Sequence, residues 1–307
     1  MSGKLCWSGE AGPGLVWPTA PEPGRKWGLF APAHHFEAEE FARARLVLTS
    51  WGVETSWPKN IFRRQRYLAG SDQFRLDFMD RLMMDPEVAG LLAVRGGSGC
   101  QRLLPLLANR WTAWPTKPII GFSDLTALHL GRLAAVGVIG YHGPMLISLG
   151  KINPADLVDT CSQADLRWAL RRVPFAGGWT FQDRDVLKPG RARGPLLGGN
   201  LTLLIHLLTS PWLPDFTGAI LLVEDADEYA YRLDRLLISL RQSYLWLRLS
   251  GLVFGRFIRC GSPALVRDLL KEAAEDFSGP VLMNAPVSHG GCNRLFPLGA
   301  LAVLTAI

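Results

Sequence analysis

The sequence predicts an α/β protein, with an N-terminal doubly wound parallel sheet domain followed by a smaller C-terminal α/β domain. Three observations carry that expectation. The chain has 307 residues of which 48% are hydrophobic, enough to bury a full core and to divide into two domains of ordinary size. From Trp27 onward, short apolar runs alternate with amphipathic stretches at the spacing of strands and crossover helices. Gly96, Gly97 and Ser123 fall directly after such apolar runs, at the strand ends where parallel sheets collect their ligand-contacting residues.

The elements follow in order. Residues 1–26, MSGKLCWSGEAGPGLVWPTAPEPGRK, place Pro, Gly and Glu where a signal peptide needs a clean apolar stretch of about 7–15 residues. They read as a mature N-terminal extension, loosely held. Residues 27–150 form the first α/β domain: KWGLFAP, FEAEEFARARLVLTSWG, SDQFRLDFMDRLMMDPEV, GLLAVRGG, GCQRLLPLLANR, PIIGFS, DLTALHLGRLAAVG and VIGYHGP alternate between the two patterns. Residues 151–193 show turn signals (NPADL, PFAGGW, KPGRARG) and no period, and read as a linker. Residues 194–307, from GPLLGGNLTLLIHLL to ALAVLTA, form the second domain.

Composition narrows the function classes. No apolar run reaches the roughly 20 residues of a membrane-spanning helix, so no membrane partner is expected. Five scattered cysteines without C-x-x-C spacing indicate neither a zinc knot nor a disulfide framework, and free thiols suit a cytoplasmic protein. The net charge of +6 is carried by dispersed arginines, including the pairs Arg63-Arg64 and Arg171-Arg172. Nucleic acid is not expected, and attraction of a small anionic substrate fits the charge. No cofactor or metal is expected, and the expected assembly is a homodimer.

Candidate chemistry lies at the strand ends. In IIGFSDLTALH, Ser123 is either the cap of the next helix or a nucleophile on a strand-to-helix turn. In AILLVEDADEY, Glu224 and Asp225 end a buried strand, where carboxylates either cap the following helix or reach into a cleft. Glu228, one turn later, caps or faces solvent. His289, directly before Gly290 and Gly291, sits on a loop where packing does not explain it, and is the best general base among the six histidines. His129 and His206 read as core; His34 and His35 follow the first strand and either enter the next helix or line a cleft, and His142 follows a strand end and suits the lining of a cleft. His289 with Cys292 is a weak metal signal, two ligands without partners. The VRGGSGCQRLL stretch lacks the lysine and spacing of nucleotide loops, but its backbone N–H groups suit a developing oxyanion. Cys100, at a helix start that lowers thiol pKa, is the rival nucleophile.

In order, YLAGSDQFRLDFMDRLMMDPEVAGLLAVRGGSGCQRLL, IIGFSDLTALH, HGPM, PLLGGNLTLL, ILLVEDADEYAYRLDRLL and PVSHGGCNRLFPLGALAVL resemble the serine LD-carboxypeptidase family. That family includes muramoyltetrapeptide carboxypeptidases and microcin-immunity hydrolases, and the resemblance runs from Trp27 to the C-terminus. It implies Ser123 as nucleophile, His289 as base and Glu224 as the orienting acid. Because Ser123 belongs to the first domain and the other two to the second, it implies an active site in the interdomain cleft. Ser98 departs from the family's usual aromatic in R-G-G-Y-G.

The activity implied is hydrolysis of an L,D-peptide bond, releasing a terminal D-amino acid from murein-derived tetrapeptide during peptidoglycan recycling. The backbone N–H groups of Gly97 and Asp124 are the expected oxyanion donors. Arg102, or another arginine of the cleft, is expected to hold the substrate's free carboxylate, with His142 beside it. The alternatives are hydrolysis of a peptidyl-nucleotide antibiotic for self-immunity, a non-catalytic peptide-binding protein on the same scaffold, and a nucleotide-binding α/β protein.

Overall fold

In the computed structural model, which describes residues 2–150 and 157–307, the chain begins by joining a sheet it completes only at its far end. Strand β1 (Lys4–Ala11) pairs antiparallel with the last strand of the chain. The chain then builds β2 (Lys26–Phe30), α1 (Ala38–Ser50), β3 (Thr55–Ser56), α2 (Asp72–Met84), β4 (Val88–Ala93), α3 (Leu104–Leu107), β5 (Ile119–Ile120), α4 (Leu125–Val136), β6 (Gly140–His142) and α5 (Leu146–Leu149). β2 through β6 form a parallel sheet in the spatial order β3-β2-β4-β5-β6. The order reverses between β2 and β4, so a crevice opens beyond the carboxyl ends of those two strands. Every residue of β4 is buried, as expected for a parallel strand covered on both faces.

The second half supplies α6 (Leu157–Ala169), β7 (Gly177–Thr180), β8 (Val186–Lys188), β9 (Gly190–Asn200), α7 (Leu201–Leu207), β10 (Ile220–Ala226), α8 (Ala230–Gln242), β11 (Gly251–Ile258), α9 (Pro263–Ala274), β12 (Val281–Leu282), β13 (Phe296–Leu298) and β14 (Ala300–Ala306). Its sheet has eight strands in the order β7-β1-β14-β9-β10-β11-β12-β8. β9 to β12 are parallel, and the added strands pair antiparallel. β13 leaves this half altogether and pairs with β6 at the edge of the first sheet.

The structure thus differs from the sequence expectation in two stretches. The N-terminal extension is not loose, because Leu5 and Trp7 alternate inward from β1 and are buried, Trp7 packing edge-on against Trp179 at 4.9 Å between ring centroids. The stretch read as a linker, whose residues 151–156 lie outside the described residues, carries α6 and contributes β7, β8 and the start of β9 to the second sheet. Both stretches carry too few alternating positions between Gly and Pro for a period to show.

Docking of β1 is open to measurement. Trp7→Ala leaves a cavity among Trp179 and Phe175, and the expected cost is about 3–5 kcal/mol in denaturant unfolding. A cost near zero would show that the N-terminal strand does not pack in solution.

Candidate active site

The apolar pair Ile119 and Ile120 of β5 carries the chain outward into a tight turn at Gly121, Phe122 and Ser123, after which α4 begins. Ser123 has φ +62°, a left-handed backbone rare for a residue with a side chain and typical of a strained functional turn. Its hydroxyl does not cap α4. The residue at the cap position is Asp124, whose side chain makes no capping bond to the helix, and the first turn is closed by the Thr126 N–H donating to the Ser123 carbonyl at 2.9 Å. Gly96, from the loop after β4, presses so close that a methyl group there would lie 3.1 Å from Ser123 Cβ. A side chain there would push the serine aside by a few tenths of an ångström.

The Ser123 hydroxyl is taken up by His289. The Oγ lies 2.8 Å from Nε2, while on the other side of the ring Nδ1 lies 2.7 Å from Glu224 Oε2. With Nδ1–H donating to the carboxylate, Nε2 is left to accept the hydroxyl proton. Glu224 ends the buried run of β10 and is itself fully buried. Burial pulls the His289 pKa down, but the charge and hydrogen bond of Glu224, reinforced by Asp225 and Asp227, outweigh it, and the net shift is upward. Such a chain can draw a proton from a serine hydroxyl and return it to a leaving group.

The histidine loop is held from outside. Asp165 on α6 receives two bonds from the Arg294 guanidinium, both 2.8 Å, and one from the Leu295 N–H at 3.3 Å, while Ser162, one turn earlier, accepts the Asn293 N–H at 3.1 Å. A bidentate, part-buried arginine–carboxylate pair fixes geometry as well as supplying energy. The glycine loop after β4 is tied to the serine turn, since Asp124 Oδ2 accepts the Cys100 N–H at 2.7 Å. Buried Arg75 holds the Gly99 carbonyl of the same loop at 3.0 Å.

Ser123 and His289 open onto a cleft of about 730 Å3. Its walls come from the loop after β4 (Arg95, Gly96, Gly97), from α5 and α6, and from the end of β10 (Asp225, Asp227, Glu228). Asp225 does not cap α8, the helix that follows its strand. It accepts bonds from Asn200 Nδ2 at 2.8 Å and from the N–H and hydroxyl of Thr202, so it closes the start of α7 instead.

Several residues expected at the site lie elsewhere. Arg102 is exposed and paired with Asp72 at 2.6 Å, away from the cleft walls. His142 is fully buried, stacked on Phe296 at 4.8 Å behind the cleft, and burial pushes its pKa well down. Cys100 is also fully buried, and desolvation together with the Asp124 carboxylate holds its thiol protonated, which removes it as a nucleophile. His34 packs at a tilt against Tyr67 and lies behind Gly97, and neither it nor His35 lines the cleft. His206 is exposed, because α7 buries Leu201, Leu204 and Leu207 on its other face. His129 is buried as expected, its Nε2 at 2.9 Å from the Gly121 carbonyl and its pKa lowered by burial to about 4. Glu228 is half-buried in the wall of the cleft, and burial and Asp225 raise its pKa. Arg95, Asp165 and Arg294 escaped sequence reasoning, since each acts through partners far off in the chain.

A parallel-sheet domain that presents serine on a strand-to-helix turn, completed by acid and histidine from a second sheet, defines a class of α/β hydrolytic proteins. The chain belongs to the LD-carboxypeptidase family: the family's N-terminal domain matches residues 28–143 and its C-terminal domain residues 193–304. The murein tetrapeptide carboxypeptidase of Pseudomonas aeruginosa is 32% identical over 285 residues, covering 90% of this chain and 92% of that one. The microcin C7 self-immunity protein of Escherichia coli is 26% identical over 298 residues, covering 88% of this chain and 86% of that one. The muramoyltetrapeptide carboxypeptidase from Oxalobacter formigenes superposes with a TM-score of 0.76 at 25% identity, over 91% of this chain and 98% of that one.

The raised His289 pKa sets a pH profile. A base must be neutral, so kcat/KM is expected to fall as pH drops through a value above the ordinary 6.5 of histidine. Glu224→Gln removes the charge that raises it while burial remains, so this limb should move to lower pH as kcat falls by roughly 10²–10⁴-fold. Glu228→Gln leaves the chain of three intact and should cost less than about tenfold. A limb that stays in place in Glu224→Gln would show that the carboxylate does not govern the histidine.

Proposed function

We propose that the protein is a serine carboxypeptidase that hydrolyses an L,D-peptide bond and releases the terminal D-amino acid of a murein-derived tetrapeptide in peptidoglycan recycling. The observation that carries this reading is the unbroken hydrogen-bonded chain from Ser123 Oγ through His289 to Glu224, open to the cleft at the serine. In the reaction, Ser123 Oγ adds to the scissile carbonyl carbon while its proton passes to His289 Nε2 and the carbonyl electrons move onto oxygen. Glu224 stabilises the imidazolium and keeps the ring in its tautomer. Collapse breaks the C–N bond, and the departing amine takes the proton back from His289. Water, deprotonated in turn by His289, attacks the ester on Oγ, and the second collapse returns a proton to serine and frees the acyl carboxylate.

The oxyanion donors in this reading are the N–H groups of Gly97 and Asp124. Gly97 lines the cleft with φ +112°, and Asp124 directly follows the nucleophile. The donors are backbone groups held by the Asp124–Cys100 bond, so they are set before substrate arrives, which is what makes such stabilisation effective. The reaction resides in the cytoplasm in this reading, where thiols stay reduced.

The second reading, cleavage of a peptidyl-nucleotide antibiotic, draws on the likeness to the microcin C7 self-immunity protein. The cleft walls favour peptide over nucleoside. Apart from His289, Phe122 is the sole aromatic side chain among the described residues lining the cleft, and its ring lies tilted at 4.9 Å from that of His289, whereas three carboxylates and two arginines line the space.

Incubation of the purified protein with an L,D-linked tetrapeptide is expected to release D-alanine, detected by mass spectrometry, and Ser123→Ala should abolish the release. A chelator should leave the rate unchanged. Abolition by chelator with restoration by zinc would overturn the covalent mechanism.

A further inference from the structure

A carboxypeptidase selects its substrates by the free carboxylate of the residue it removes, and the cation that holds that group must lie beside the nucleophile. Among the described residues two cations line the cleft, Arg95 and Arg259. Arg259 is held by Asp227 through both carboxylate oxygens. Arg95 has no carboxylate partner among the described residues, and its one recorded protein bond is a 3.4 Å contact with the His35 carbonyl, at the limit of hydrogen-bond range. We infer that Arg95 is the anchor for the terminal carboxylate of the substrate, on the reading that Ser123 is the nucleophile.

Three features of the cleft support this. Arg95 immediately precedes Gly96, the residue packed against Ser123, so its side chain starts from the loop nearest the reacting atoms. The carboxylate of the leaving amino acid stands only a few bonds beyond the scissile carbonyl, within the span of an arginine side chain rooted there. Arg95 also leaves the end of β4 where the strand order reverses, the usual ligand crevice of such sheets. Among the described residues the opposite wall offers a carboxylate no unpaired cation, since Arg259 is taken up by Asp227 and the remaining charged side chains there, Asp225 and Glu228, are acids. The substrate is thereby oriented with its C-terminus toward the first sheet and its acyl portion toward the acids of the second. A guanidinium, unlike an ammonium, meets a carboxylate with two parallel bonds, which fixes the scissile group as well as binding it.

The test compares two substrates that differ only at the C-terminus, the L,D-tetrapeptide acid and its carboxamide, with wild type, Arg95→Gln and Arg95→Lys. Wild type should favour the acid by roughly 10²-fold in kcat/KM, the worth of one charge-assisted bidentate contact. Arg95→Gln should lose most of that factor on the acid and change less than about threefold on the amide, so that the preference collapses. Arg95→Lys should restore part of it. Equal losses on both substrates, or an intact preference in Arg95→Gln, would overturn the assignment. If wild type cleaves neither substrate, the substrate reading fails and the assignment is judged by binding alone: calorimetry with D-alanyl-terminated dipeptide acid and amide on Ser123→Ala, with and without Arg95→Gln. Loss of acid preference in the double variant would support the anchor, and retention would refute it.

Discussion

The structure turns on one constraint, that three side chains from separate segments must meet within hydrogen-bond distance although two of them belong to different sheets. Ser123 is delivered by β5 of the first sheet and Glu224 by β10 of the second. His289 lies on the connection between β12, in the second sheet, and β13, which crosses to pair with β6 in the first. The loop is therefore anchored in both halves, and the histidine bonds to both. A shift between the halves of even an ångström would open one of its two bonds. That intolerance explains why so much buried polar structure surrounds the loop, above all the Asp165–Arg294 pair on α6.

The same constraint orders the electrostatics. A fully buried carboxylate is costly unless it is paired, and the His289 ring is the partner that makes Glu224 tolerable. The converse holds for the histidine, whose burial alone would weaken it as a base. The chain's net charge of +6 is not what the cleft presents, for Asp225, Asp227 and Glu228 line one wall. Charge there is arranged by position: Arg259 is paired with Asp227 beside the other acids, while Arg95 stands on the first sheet's side without a carboxylate partner among the described residues.

How much of this was legible in the sequence depends on how local each signal is. Ser123, Glu224 and His289 each stand at the end of an apolar run or in a glycine loop, and the structure brings all three together as the motif order implied. The alternation from Trp27 to His142 likewise gives the parallel sheet. Arg102 was misread because its partner Asp72 lies on another helix, and no local pattern reveals that pairing. His142 follows a strand as a site residue would, but β13 from the far end of the chain lays Phe296 over it. Cys100 does sit at a helix start, yet burial overrides any help from the helix. β1 was hidden because its sheet partners lie at residues 177–180 and 300–306, beyond the reach of any sequence window.

The central claim is that Ser123 is the activated nucleophile of this site. Its most direct measurement is labelling with a fluorophosphonate probe that reacts with serine only when a base activates the hydroxyl, followed by peptide mapping. A single adduct on Ser123 is expected, unchanged in Cys100→Ala and lost in Ser123→Ala. Labelling that survives Ser123→Ala and disappears in Cys100→Ala would contradict the claim and move the chemistry to the thiol.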